Sequence, residues 1–279
     1  MRFFDIFFRT VFFLLFISIS SSLRAESDIT NRNILAELDD LPQFTAFKDN
    51  YGTVGTTIGS RPTDYNSDAR FQVSIKERFT RSTLPYETHL FFQLTVTSYL
   101  SVFLPSFPLH DISYNPGFGL GKHIIKDGKA VGYGYLMIEH ESNGFDSEGE
   151  KSKSWNKVSL AATMQVSRNL ELQAKAWYPI IDGRFSKDIL RYQGLGFVAA
   201  KVGTNDKRLN LSVMLTPTYR RNIGVNTTAE ASLQLTKNRP VCLVAQYHNG
   251  YGENLLDYHV YKSRLRVGFS IKPDGFYIF

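Results

Sequence analysis

Residues 209–217 read LNLSVMLTP and residues 228–236 read TAEASLQLT. In the first, Leu209, Leu211, Val213 and Leu215 share one face of an extended chain, while Asn210, Ser212, Met214 and Thr216 share the other. In the second, Ala229, Ala231, Leu233 and Leu235 oppose Glu230, Ser232, Gln234 and Thr236. This is the two-residue period of a β-strand, not the 3.6-residue period of a helix. The pattern recurs in NLELQAKAWYP (169–179) and in SRLRVGFSI (263–271), where Arg264 and Arg266 lie opposite Leu265, Val267 and Phe269.

Alternation alone fits a soluble sandwich as well as a membrane barrel. Three further features favour the barrel. Many of the segments have the length of a tilted spanning strand, about 9–11 residues, with charge on the face opposite the apolar one. Aromatic residues make up 14% of the chain and gather near segment ends, where a membrane–water girdle would lie. The chain also closes on FYIF, with Phe279 last, resembling the terminal aromatic that outer-membrane barrels present for assembly. The fold predicted is all-β: a transmembrane, antiparallel, up-and-down β-barrel of about twelve strands. The segments fall near 46–57, 69–79, 88–100, 115–124, 129–142, 153–166, 169–180, 190–202, 207–219, 223–237, 240–249 and 259–271.

Residues 1–25 read as a secretory signal peptide, with Arg2 and Arg9 flanking the start, an apolar run from Thr10 to Ile19 and small residues after it. Cleavage is expected after Ala25, with a cut near Ser22 as the alternative. The apolar run is shorter than the ~20 residues of a spanning helix, which disfavours an uncleaved anchor. Residues 26–45 lack the strand period and read as a periplasmic N-terminal segment with one short helix around Asn33 to Leu38; residues 46–279 form the barrel. Arg2, Arg9 and Arg24 against Asp5 give the leader +2, leaving about +4 of the chain's +6, too mild a charge to imply nucleic acid. The single cysteine, Cys242, excludes an internal disulfide, and its setting in PVCLVAQY points to a packed strand position.

Side-chain parity singles out one place. In a barrel with both ends periplasmic, the fifth segment rises outward and ends near Ser142. There Tyr133, Tyr135, Met137, Glu139 and Glu141 share one face, and the glutamates assign that face to the lumen. His140 and Ser142 then point at lipid with Leu136 and Ile138, and Asn156 points the same way from the sixth segment. Neighbouring strands lie ~4.8 Å apart, and residues i and i+2 have Cα atoms ~6.6–7 Å apart, so the three side chains can converge. A histidine beside a serine can accept its proton during attack on an ester, with an amide oxygen on the other ring nitrogen fixing the tautomer. The plainer reading is headgroup contact by polar girdle residues. Asp146, Glu148 and Glu150 make the intervening loop acidic, as a solvated surface loop would be.

The runs HESNG (140–144) and SKSWN (152–156) resemble the signature of the outer-membrane phospholipase A family. FKDNY (47–51), YNPGFGLG (114–121) and GYGENLLDYHVYKSRLRVG (250–268) resemble its first strand, fourth strand and penultimate hairpin. The resemblance implies a twelve-stranded barrel in the bacterial outer membrane with its site toward the outer leaflet, hydrolysing acyl esters of phospholipids, with calcium as cofactor, and active as a homodimer. It assigns Ser142 as nucleophile, His140 as general base, Asn156 as its orienting partner and the Gly144 N–H to the oxyanion. It assigns calcium to the Ser152 side chain, the Phe145 carbonyl and the Phe107 carbonyl of a second copy. The chain departs from the family in a longer loop between Gly144 and Ser152. The competing readings are a non-catalytic barrel, as a small channel or adhesin, and more remotely a soluble exported sandwich. Charges of both signs at Glu139, Glu141, Lys157, Lys175, Arg264 and Arg266 suit a plugging ion-pair network at least as well as a pore.

Overall fold

The computed structural model describes residues 28–145, 151–180, 186–219, 223–236, 239–272 and 275–276. The leader, the acidic loop residues Asp146, Glu148 and Glu150, and Phe279 lie outside these described residues. Among them, helix α1 (Asp28–Asp39) leads into strands β1 (Phe44–Thr45), β2 (Asn50–Thr57), β3 (Ser67–Arg78), β4 (His89–Leu100), β5 (Leu109–Lys126), β6 (Lys129–Ser142) and β7 (Ser154–Ser167). There follow β8 (Leu170–Ile180), helix α2 (Leu190–Gln193), β9 (Gly196–Gly203), β10 (Leu209–Tyr219), β11 (Ile223–Thr236), β12 (Arg239–Gly250) and β13 (Lys262–Ile271).

Each strand from β2 onward pairs antiparallel with the next, and β13 returns to β2 through pairs such as Val267↔Val54, closing the barrel. β1 pairs with β3 at Glu77 and Lys76, beyond the stretch of β3 that pairs with β2, so β1 and β2 form one interrupted stave of twelve. Closure leaves no open edge, which is what lets strands cross a bilayer. Among the described residues, no helix is long and apolar enough to cross a membrane.

The parity holds along the wall. Leu136, Ile138, Leu211, Val213, Leu265, Val267 and Phe269 are exposed on the outside, whereas Tyr133, Tyr135, Met137 and Glu139 are buried inside. Cys242 is buried on β12. The lumen is filled by an aromatic cluster that includes Phe91, Tyr135, Trp155 and Trp177, and by ion pairs. Lys175 Nζ lies 2.6 Å from Glu139, Lys157 Nζ lies 3.1 Å from Glu141, and Arg266, only 2% exposed, binds Asp68 at 2.8 Å and Glu253 at 2.5 Å. Arg264 also pairs with Asp68.

Two elements differ from the sequence pattern. The eighth stave starts at Gly196 rather than near residue 190, because Leu190–Gln193 forms a helical turn that ends at Gly194. Gly194 has φ +67°, and a Cβ there would sit 2.1 Å from the Pro217 carbonyl oxygen, so only glycine fits. The fourth stave, expected over 115–124, runs over Leu109–Lys126. Its extension is anchored by the buried Asp111, which accepts a hydrogen bond from Leu256 N at 2.9 Å in the β12–β13 connection.

α1 is longer than the Asn33–Leu38 helix read from sequence. Its C-terminal carbonyls are capped by a barrel residue: Arg78 donates to Leu38 O at 3.3 Å, to Asp39 O at 2.6 Å and, just past the helix, to Leu41 O at 3.1 Å, while pairing with the Asp39 carboxylate at 2.6 Å. A cation at that end answers both the orphan carbonyls and the helix dipole. α1 thereby occupies the end of the barrel where β6 begins, opposite to the end where β6 reaches Ser142.

Candidate active site

His140 lies on β6 directly opposite Asn156 on β7, and Ser142 lies opposite Ser154. Asn143 N donates to Lys153 O across the same pair of strands. By alternation, odd residues of β6 turn their main-chain groups toward β7 and His140 faces Asn156 as a non-hydrogen-bonded pair. In such pairs the Cα atoms approach to about 4.5 Å and the side chains are closest. His140 Nδ1 and Asn156 Oδ1 are 2.8 Å apart as a result.

An amide oxygen can only accept, so Nδ1 carries the proton and Nε2 is left with its lone pair. Ser142 is two residues further on the same strand face, with its Cα ~6.6–7 Å away. His140 is exposed on the barrel exterior, and Ser142 and Asn156 are half-buried there. Tyr114, opposite Ser142 on β5, and Ile180, opposite Asn156 on β8, flank the trio, with Ile138 and Val158 below it toward the bilayer centre.

The site is braced from the lumen. Glu141 points inward between the two exterior residues and accepts from Trp155 Nε1 at 3.0 Å, Lys157 Nζ at 3.1 Å and Ser113 Oγ at 3.2 Å, tying β5, β6 and β7 behind His140 and Ser142. Asn143, 1% exposed, closes the loop: its amide donates to Lys151 O at 2.8 Å and accepts from Lys153 N at 2.9 Å. Gly144 follows at φ +68°, and a Cβ there would lie 3.1 Å from the Tyr114 ring, so the turn requires glycine. Sequence reading placed Glu141 and Lys157 in an interior ion-pair network without tying them to the site, and gave Asn143 no role; the signal available was the inward parity of Glu141 and an asparagine directly after a strand.

Of the residues assigned to calcium, Ser152 is buried at the loop base, and Phe145 is exposed just after Gly144. A hydroxyl and main-chain carbonyls are the hard oxygen donors that calcium takes, so the residues fit that ion in kind. Among the described residues no group of three or more His, Cys, Asp or Glu side chains converges as a metal site. Phe107, at φ +46°, stands on the β4–β5 connection. β5 extends from Tyr114, the partner of Ser142, to Leu109, about 17 Å of strand. Within one chain this extension carries Phe107 away from the trio.

A closed twelve-stave cylinder, apolar outside and ion-paired within, with a bonded imidazole–amide pair on its outer face, defines an outer-membrane-type β-barrel. The phospholipase A1 family model matches residues 41–271. The chain belongs to that family, and so to the phospholipases and the outer membrane. Phospholipase A1 of Salmonella typhimurium strain LT2 is 29% identical over 207 residues, covering 72% of this chain and 68% of that protein. The fold matches outer membrane phospholipase A from Escherichia coli with a TM-score of 0.72 at 22% identity, over 83% of this chain and 99% of the other. It matches the Salmonella typhi outer membrane phospholipase dimer with bound calcium at 0.71 and 22%, over 89% and 99%.

Proposed function

We propose that this chain hydrolyses acyl ester bonds of outer-leaflet phospholipids by a Ser/His/Asn mechanism, with calcium bound and as a homodimer. The observation that carries this reading is the 2.8 Å bond from His140 to Asn156 on a face that otherwise meets hydrocarbon. A polar pair there is costly unless it serves function.

The ester slides beside the strand end from within the leaflet, and Ser142 Oγ attacks its carbonyl carbon while His140 Nε2 takes the hydroxyl proton. Asn156 holds the ring in the tautomer that leaves Nε2 free, and the Gly144 N–H donates to the oxygen that becomes negative. His140 returns the proton to the departing lysophospholipid oxygen. Water, deprotonated by the same nitrogen, then cleaves the acyl-serine and releases the fatty acid. Asn serves in place of a carboxylate because an ionised group in this low-dielectric surrounding would be expensive to hold.

Calcium would be held by Ser152, the Phe145 carbonyl and the Phe107 carbonyl of a second copy, and when bound would stabilise negative charge at the reacting ester. Two protein donors from one chain are few for an ion that takes six to eight oxygens, which supports the dimer. The same reading takes residues 1–25 as the cleaved leader, 26–45 as the periplasmic segment and 46–279 as the barrel, with the trio toward the outer leaflet because α1 occupies the other end. Fatty-acid release from detergent-dispersed phospholipid by the purified protein tests it. Release with calcium and none from Ser142→Ala is expected; equal release from that variant would remove the assignment.

A further inference from the structure

β5 carries a proline inside the barrel wall. The β5–β6 pairs Tyr114↔Ser142 and Gly117↔Glu139 share one register, which sets Pro116 opposite His140. Because Asn143 turns its main chain toward β7, the even residues of β6 turn theirs toward β5. The His140 carbonyl therefore faces a ring nitrogen that has no hydrogen to donate. An orphan carbonyl in a spanning strand is costly. Asn115 Nδ2 fills the gap, donating to His140 O at 2.8 Å.

Asn115 is itself held by a one-way chain of hydrogen bonds along the lumen side. Lys48 N donates to Ser74 Oγ at 3.2 Å, Ser74 Oγ lies 2.7 Å from Thr95 Oγ1, and Thr95 Oγ1 donates to Gln93 Oε1 at 3.0 Å. Gln93 Nε2 then donates to Asn115 O at 3.0 Å and approaches its Oδ1 at 3.5 Å, which turns the NH2 end toward His140. Ser74 and Gln93 are fully buried. Gly117 keeps the passage open, since a Cβ there would lie 2.9 Å from Gln93 Nε2. Every donor points the same way, so the bonds polarise one another.

We propose that Asn115 is a positioning residue for the His140 base: from the lumen it supplies the main-chain bond that Pro116 withholds, fixing the backbone from which the imidazole on the other side of the wall reaches Ser142. The proposal rests on the reading of His140 as base. Asn115→Leu removes the donor at similar size, and Pro116→Ala restores a strand N–H at the same carbonyl. In folded, heat-modifiable protein, Asn115→Leu should lower kcat about ten- to a hundredfold with little change in KM, as a misplaced base would. The double variant should recover most of that loss, which a general loosening of the barrel would not allow. Gln93→Leu, leaving β5 and β6 untouched, should give a smaller loss of the same kind and serves if Asn115→Leu does not fold. Wild-type kcat in Asn115→Leu, or a double variant as slow as the single, overturns the proposal. The 15N spectrum of the His140 ring decides it apart from activity: one tautomer in the wild type and a mixture in Asn115→Leu is expected, and identical spectra overturn it. Were the wild-type protein inactive on phospholipid, the proposed function would fail while this spectral comparison still stood.

Discussion

His140 and Asn156 face each other at a non-hydrogen-bonded position of β6 and β7, so the shortest side-chain approach the ladder offers falls on this imidazole–amide pair. One residue to either side, the same strands turn Glu139 and Glu141 inward to lysines. The strand's two-residue period thus separates the exterior polar trio from the charges that brace it.

Asn156→Ala should lower kcat less than Ser142→Ala does. Losing the nucleophile forfeits the covalent route, a loss of about 10⁴–10⁶, whereas losing the amide leaves a base that samples wrong orientations, about 10–10². Initial rates of fatty-acid release compare the two. Equal losses would mean that Asn156 does more than orient.

Calcium removal should suppress hydrolysis without unfolding the barrel, because the lumen pairs described above join protein side chains to one another. Ser152→Ala should raise the calcium concentration needed for half-maximal rate by about tenfold, one oxygen ligand fewer being worth on the order of 1.4 kcal/mol. A calcium titration of activity, with circular dichroism as the fold control, measures this. Indifference to chelator would dismiss the metal.

The wall was legible in the sequence because a two-residue period needs no tertiary information: Leu136 and Ile138 outward, Tyr135 and Glu139 inward. The trio was legible for the same reason, since parity alone places His140, Ser142 and Asn156 on one face. What sequence could not carry were side chains that bond across several staves. Asn115 reaching His140, Asp39 gripping Arg78, and Asp111 holding Leu256 N join residues 25, 39 and 145 positions apart. The helical turn at 190–193 was hidden because LRYQ alternates apolar Leu190 and Tyr192 with polar Arg191 and Gln193, as a strand would, and only the Gly194 backbone reveals the break.

Glu139 and Lys175 form a buried pair at 2.6 Å, and losing Lys175 leaves the Glu139 carboxylate only the more distant Lys157 ammonium, at 4.0 Å. Lys175→Met should destabilise the barrel by about 3–5 kcal/mol, while the double variant Glu139→Gln, Lys175→Met should recover a large part of that. Urea unfolding in micelles, followed by loss of heat-modifiable mobility, gives both values. A double variant no more stable than the single would show that the pair's worth lies in the approach of Lys175 to the Tyr135 ring.

Asp257, in the connection between β12 and β13, accepts from His110 Nε2 at 2.7 Å and from Lys262 Nζ at 3.0 Å. The hydrogen bond from His110 is the largest influence; burial opposes it and Lys262 adds to it, and together they hold the carboxyl well below the usual carboxylate range. The folded pKa is depressed, so the clasp's contribution is fully present above the unfolded value, about 3.9, and is lost only as pH falls through the folded one. Between pH 7 and 5 the Asp257 carboxylate keeps its charge, and its share of the loop's stability should stay constant. Asp257→Asn should instead expose residues 251–261 to faster amide exchange across that whole range, by about two- to fivefold, as for a half-exposed ion pair. Mass-resolved hydrogen exchange of the wild type and the variant at pH 5 and 7 reads the difference, and identical protection would show that Asp111 and the buried Leu255 hold the loop without it.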